Sequence, residues 1–193
     1  MNERAISTVR TQDLIGPGKL VLVVGPSGAG KDTLIGLAGK KSEGNPEIVF
    51  PARTVTRAAS PYENNRSVTP ESFAREVAAG QFALSWQAHG HSYGIPKSID
   101  DDLRLGRSVI VNVSRTVIVE AKVRYQNVKI VSVTAPADIL AARLSNRKRD
   151  SDGSLTQRLD RAVSDAGAEP DLIIENVDTA EAGATVLLAF VRM

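Results

Sequence analysis

The chain has 193 residues, no cysteine, 42% hydrophobic and 24% charged residues, and a formal net charge of +2. That length suits one domain with a real core, the missing cysteines exclude disulfides and thiolate metal sites, and so small a charge gives no ground for a nucleic-acid or membrane surface. Aromatics at 4% are too few for a base-stacking platform, and no apolar run reaches the ~20 residues of a membrane span.

Residues 1–17 are polar, lack a signal-peptide core and read as a flexible tail, so a cytoplasmic location is expected. From residue 18 onward strands and helices alternate, which predicts an α/β domain with a mainly parallel sheet. The first strand is Lys19 to Val24 and its helix runs from Lys31 to about Lys40. Between them lies Gly25-Pro26-Ser27-Gly28-Ala29-Gly30-Lys31-Asp32-Thr33. The glycines let the backbone curl so that successive N–H groups point at phosphate oxygens. Lys31 would reach the β- and γ-phosphates, with the positive end of the helix behind them. The strand–loop–helix context is that of a nucleotide P-loop. Asp32 stands where a Ser or Thr normally ligates magnesium, and the first hydroxyl comes at Thr33.

A second strand is expected at Ile48 to Pro51. Periodicity then lapses from Arg53 to Val68, and Arg53 and Arg57 flank this stretch where an acceptor would approach. Thr69-Pro70-Glu71 opens a helix with a capping residue and a proline at its first position, and Gly80 closes it. Phe82 to Trp86 reads as a strand, His89 to Tyr93 as a loop, and Ser98 to Leu105 as a helix capped by Gly106. Ser108 to Val113 and Val128 to Thr134 are buried strands around a helix from Thr116 to Tyr125. Helices from Pro136 to about Arg149 and from Leu155 to Ala166 flank the polar break Ser151-Asp152-Gly153-Ser154. A strand from Leu172 to Ile174 and a helix from Thr179 to Val191 close the chain. The region from 53 to about 95 could hold a second substrate, and the arginine-rich region from 143 to 161 suits a closing lid. Arg143 and Arg147 share a helix face, as do Arg158 and Arg161. A bound polyphosphate would relieve their repulsion and gain charge-assisted hydrogen bonds.

The P-loop, then Val55-Thr56-Arg57 with Glu63, then Tyr93-Gly94, resembles the guanylate kinase family over nearly the whole chain from Gly18. Arg143-Leu144 with Arg147, and Arg158-Leu159, look like that family's lid arginines. The resemblance implies a P-loop kinase with ATP and Mg²⁺, an acceptor insertion and an arginine lid. Three positions depart from it. Ser60 replaces a second arginine, Arg66-Ser67-Val68 replaces a segment whose tyrosine holds the acceptor phosphate, and the strand that normally ends in an acidic residue ends in Asn112. The resemblance thus keeps the donor half and disfavours GMP as acceptor.

Gly30-Lys31-Asp32, Ala83 to Gly90, Tyr93-Gly94-Ile95-Pro96 and Val111-Asn112-Val113-Ser114-Arg115 resemble a narrower family, the ribose 1,5-bisphosphate phosphokinases of phosphonate catabolism. That likeness implies ATP-dependent conversion of ribose 1,5-bisphosphate to 5-phospho-α-D-ribose 1-diphosphate. Lys31, Arg147 and Arg158 would then act on the transferring group, with Arg143 and the loop holding ATP. Arg57 and Arg115 suit the acceptor phosphates. Glu63, Asn112 and Ser114 suit the ribose hydroxyls, with Tyr93 on the same side. For magnesium the candidates are Asp32, Thr33 and water, Asp32 having loop capping or repulsion of the wrong metal geometry as its alternative roles. His89 and His91 lack a third metal ligand, and Trp86 reads as core or pocket wall. A guanylate or other nucleoside monophosphate kinase and a non-catalytic guanylate kinase-like interaction module are the competing readings. No Asn-Lys-x-Asp segment supports a GTPase. Oligomeric state is open, a homodimer included.

Overall fold

The computed structural model describes residues 14–58, 64–145 and 169–193. In chain order the first elements are β1 (Ile15–Val24), α1 (Lys31–Lys41), β2 (Ile48–Val49), β3 (Arg53–Val55) and β4 (Asn65–Ser67). Next come α2 (Pro70–Ala78), β5 (Phe82–Ala88), β6 (His91–Pro96), α3 (Ile99–Arg104) and β7 (Ser108–Asn112). A 3₁₀ turn (Arg115–Val117) leads into α4 (Ile118–Arg124) and β8 (Tyr125–Thr134), then α5 (Ala137–Ser145), β9 (Leu172–Glu175) and α6 (Ala180–Arg192).

Five strands form a parallel sheet in the order β2-β7-β1-β8-β9. Side chains alternate along β1, so its residues divide between two cores. Leu20, Leu22 and Val24 join the core built with α3, α4 and the hairpin residues Ala83, Leu84 and Ile95. Val21 and Val23 join the one built with α1, α5 and α6. Parallel register brings the carboxyl ends of the strands to one edge: Val23 pairs with Asn112, Val24 with Ser132, and Thr134 with Glu175. In open α/β sheets ligands bind at that edge.

A second sheet, ordered β4-β3-β6-β5, carries the region expected to hold an acceptor. It accounts for most differences from the sequence reading. The expected second strand stops at Val49 and the chain resumes at Arg53 as β3, in the other sheet. β4 is Asn-Arg-Ser at the sheet's edge and offers no apolar alternation to read. The expected loop from His89 to Tyr93 is instead the turn and second strand of a β5–β6 hairpin. His89 at φ 52° and Gly90 at φ 73° supply the paired positive φ angles of a two-residue hairpin turn.

β1 begins at Ile15, inside the expected tail, and the helix expected from Thr116 starts as the 3₁₀ turn and yields to β8 at Tyr125. The helix expected to reach Arg149 is described only as α5, and the one expected from Leu155 to Ala166 lies outside the described residues. Caps follow the sequence signals. The Thr69 side chain accepts from Ser72 N, Thr179 accepts from Ala182 N, and Gly80 and Gly106 take positive φ. Away from the ligand edge, buried Asp100 accepts from Tyr125 Oη at 2.8 Å and from Arg124 Nη2 at 2.5 Å, tying α3 to the end of α4. Burial, then the hydrogen bond to Asp100, pushes the Tyr125 phenol well above its ordinary pKa, so it stays a donor. Among the described residues no helix is long and apolar enough to cross a membrane.

Candidate active site

The loop between β1 and α1 has the backbone its glycines predict. Gly25 has φ 143°, and a Cβ there would meet the Val133 carbonyl oxygen at 2.0 Å. Gly30 has φ 89°, and a Cβ there would meet Asn176 Nδ2 at 2.4 Å. Neither position tolerates a side chain without moving backbone or a buried amide. Lys31 Nζ donates to the carbonyls of Gly25 at 2.7 Å and Pro26 at 2.9 Å, folding the amine over the loop. Thr33 is exposed in the first turn of α1.

Behind the loop, Asn176 follows β9 and is buried. Its Nδ2 donates to Ala29 O at 2.8 Å, its backbone N–H donates to Thr134 O, and its carbonyl accepts from Arg143 Nη2 at 3.0 Å. One residue therefore joins the loop, the end of β8 and the arginine of α5. The Arg143 Nη1 atom is buried with no hydrogen-bond partner among the described residues. Asn176→Ala is expected to cost about 1–3 kcal/mol, the price of leaving the Ala29 carbonyl buried and unsatisfied. A urea titration reads that loss, and a raised KM for ATP should accompany it.

In front of the loop, Asp32 Oδ1 accepts from Asn112 Nδ2 at 2.6 Å and lies 3.6 Å from Arg53 Nη2. Arg53 also donates from Nη1 to Asn112 O at 3.3 Å and from Nε to Asn65 Oδ1 at 3.2 Å. Its guanidinium carbon sits 5.3 Å from the centre of the Tyr93 ring, and that of Arg57 sits 6.0 Å from it. Trp86 stacks on Tyr93 at 5.4 Å and 9° and packs against the core, the first of the two roles expected of it. The Thr56 hydroxyl accepts from Ser92 N at 2.8 Å, fixing the backbone that carries Arg57. A Cβ on Gly94 would meet the Phe82 ring at 2.5 Å, which gives the Tyr93-Gly94 pair a packing reason.

The residues predicted for the donor side, Gly25 to Thr33 and Arg143, come together around the loop and Asn176. Asn112 meets them through Asp32, and the Arg57 guanidinium, just past β3, lies over the ring of Tyr93 in β6. Ser114 caps the 3₁₀ turn, its hydroxyl accepting from Thr116 N at 3.3 Å and Thr116 Oγ1 at 3.0 Å, and Arg115 begins that turn. Glu63, Arg147 and Arg158 lie outside the described residues. The sequence reading missed Asn176 and Asn65 and noted Arg53 only as a flank. Arg53 sits in a stretch without periodicity, and only the second sheet carries it to Asp32. Asn176 could have been suspected as a polar residue just past the last core strand, at the sheet's ligand edge. Among the described residues no group of three or more His, Cys, Asp or Glu could hold a metal ion.

The guanylate kinase family model matches residues 17–190. A ribose 1,5-bisphosphate phosphokinase PhnN of Rhodopseudomonas palustris is 55% identical over 183 residues, 95% of this chain and 93% of that protein. The chain belongs to the ribose 1,5-bisphosphate phosphokinase family, within the guanylate kinase-like proteins. A PhnN of Bradyrhizobium diazoefficiens is 48% identical over 192 residues, 100% of this chain and 97% of its own length. The crystal structure of guanylate kinase from Anaplasma phagocytophilum superposes with a TM-score of 0.65 at 20% identity, covering 93% of this chain and 87% of that one. That likeness establishes the guanylate kinase-like fold expected from the sequence.

Proposed function

We propose that the chain transfers the γ-phosphoryl group of ATP to ribose 1,5-bisphosphate, giving ADP and 5-phospho-α-D-ribose 1-diphosphate. The observation that carries this reading is the near full-length match to phosphokinases of that name. The geometry agrees with it, since a lysine-bearing phosphate loop meets the arginine- and tyrosine-bearing second sheet at Asp32.

An oxygen of the acceptor's 1-phosphate attacks the γ-phosphorus, the bond to the β-phosphate bridging oxygen breaks, and ADP leaves with that electron pair. The second pKa of a phosphate monoester is about 6, so the attacking oxygen is already ionised and needs no general base. The protein's work is to align two polyanions and neutralise their charge. Loop amides and Lys31 cradle the β- and γ-phosphates. Arg57, Tyr93, Asn112, Ser114 and Arg115 receive the acceptor together with Glu63. Arg147 and Arg158 keep the roles the family resemblance gives them, and Arg143 holds the nucleotide side. The Nη1 of Arg143, without a hydrogen-bond partner among the described residues, supports that assignment.

Mg²⁺ prefers a few hard oxygen ligands and keeps several waters. The Thr33 hydroxyl and Asp32 Oδ2, which makes no hydrogen bond among the described residues, fit that demand. When bound, the ion would neutralise charge on the β- and γ-phosphates. We place all of this in one kinase domain from residue 18 and in the cytoplasm.

Phosphorus NMR of the full chain with ATP, Mg²⁺ and ribose 1,5-bisphosphate tests the reading. The expected product is a coupled diphosphate pair replacing the anomeric monophosphate resonance, with ADP in equal amount. An unchanged acceptor spectrum after ATP has been made available overturns it.

A further inference from the structure

Asp32 belongs to the nucleotide loop by sequence, yet its hydrogen-bond and ion-pair partners lie on the acceptor side. Asp32, Asn112 and Arg53 form a closed ring. The carboxylate takes the Asn112 amide at 2.6 Å, lies 3.6 Å from Arg53 Nη2, and Arg53 Nη1 returns to the Asn112 carbonyl at 3.3 Å. The three members come from α1, the end of β7, and β3 of the second sheet. With Nε held by Asn65 and Nη1 by Asn112, the plane of the guanidinium is set, and Nη2 is the corner turned toward the loop. The Arg53 side chain is only 11% exposed. It shares the Tyr93 ring with Arg57. Asp32 faces Arg53 on the loop side, and a doubly charged phosphate at the Tyr93 face would meet both guanidiniums through charge-assisted hydrogen bonds.

We propose that Arg53 contacts a phosphate of the acceptor and that Asp32 is the positioning residue that aims it. The carboxylate that replaces the usual P-loop hydroxyl thus serves acceptor recognition through Oδ1 while Oδ2 stays available to the donor side. This inference rests on reading the chain as a ribose 1,5-bisphosphate kinase.

Calorimetric binding of ribose 1,5-bisphosphate to the full chain, without ATP or magnesium, reads the acceptor arm alone. Arg53→Ala is expected to weaken binding by about 10- to 100-fold, the range of one charge-assisted hydrogen bond. Arg53→Lys keeps the charge, loses the planar fork, and should weaken binding about tenfold. It carries the test if the alanine variant melts below assay temperature. The KM for ATP should stay within about twofold in both. Asp32→Asn keeps an acceptor for Asn112 but loses the charge facing Arg53, and should weaken acceptor binding about tenfold. In a double-mutant cycle, Asp32→Asn with Arg53→Ala should bind no more weakly than Arg53→Ala alone. Unchanged acceptor affinity in both Arg53 variants overturns the contact, and additive losses in the cycle overturn the positioning role of Asp32. A wild-type chain that neither binds nor phosphorylates ribose 1,5-bisphosphate defeats the functional reading and this inference with it. A wild type that turns the acceptor over while the Arg53 variants bind normally defeats only the inference.

Discussion

Lys31→Ala should lower kcat for phosphoryl transfer by about 10³-fold or more, with little change in melting temperature. Charge that builds on the transferring group must be neutralised without reorganisation, and Lys31 is the cation built into the loop. Its amine already rests within 2.7 and 2.9 Å of the Gly25 and Pro26 carbonyls, over the place where the glycine backbone opens. The side chain is only partly buried and is not part of either apolar core, so its loss leaves the sheet and α1 standing. Steady-state turnover over an ATP titration, paired with a thermal melt, separates the two effects. A folded variant with near-wild-type kcat would remove this loop from the mechanism.

Much of the donor half was legible in the sequence because it is local. A strand, a glycine loop, a lysine and a helix are contiguous, and each glycine's role follows from backbone sterics that neighbouring residues fix. That the large sheet is parallel was readable from the alternation of strands and helices, whereas its strand order was not. The acceptor half was not, because its contacts span the chain. Arg53 reaches Asn112 across 59 positions and Asn112 reaches Asp32 across 80. On the donor side too, Asn176 reaches Ala29 across 147. No period or motif announces such pairs. β4 is three polar residues whose strand character comes from pairing with β3, and β6 opens with a histidine after a turn set by His89 and Gly90. There, tertiary pairing decides the structure over local pattern.

Acceptor choice is where the second large effect is expected. Guanylate kinases, by the resemblance drawn above, hold the GMP phosphate with an arginine where this chain has Ser60 and with a tyrosine in the segment here occupied by Arg66-Ser67-Val68. In β4, Arg66 is turned away to Glu76 and to the Thr54 hydroxyl at 3.1 Å, so this strand supplies no phenol for a phosphate. Asn112, in place of an acidic residue, is bonded to Asp32. Each missing charge-assisted hydrogen bond to a phosphate is worth roughly 1.5–3 kcal/mol. Two of them make GMP poorer by on the order of a hundredfold or more, at about tenfold per 1.4 kcal/mol. On the proposed reading Arg53, Arg57 and Arg115 would receive the phosphates of ribose 1,5-bisphosphate instead, and Arg57→Ala should damage its turnover without disturbing ATP binding.

The most direct test offers the purified full chain ATP and Mg²⁺ with ribose 1,5-bisphosphate and GMP side by side, and compares kcat/KM for the two acceptors. A preference for ribose 1,5-bisphosphate of about a hundredfold or more is the predicted result. A higher kcat/KM for GMP would contradict the account and identify the chain as a nucleoside monophosphate kinase.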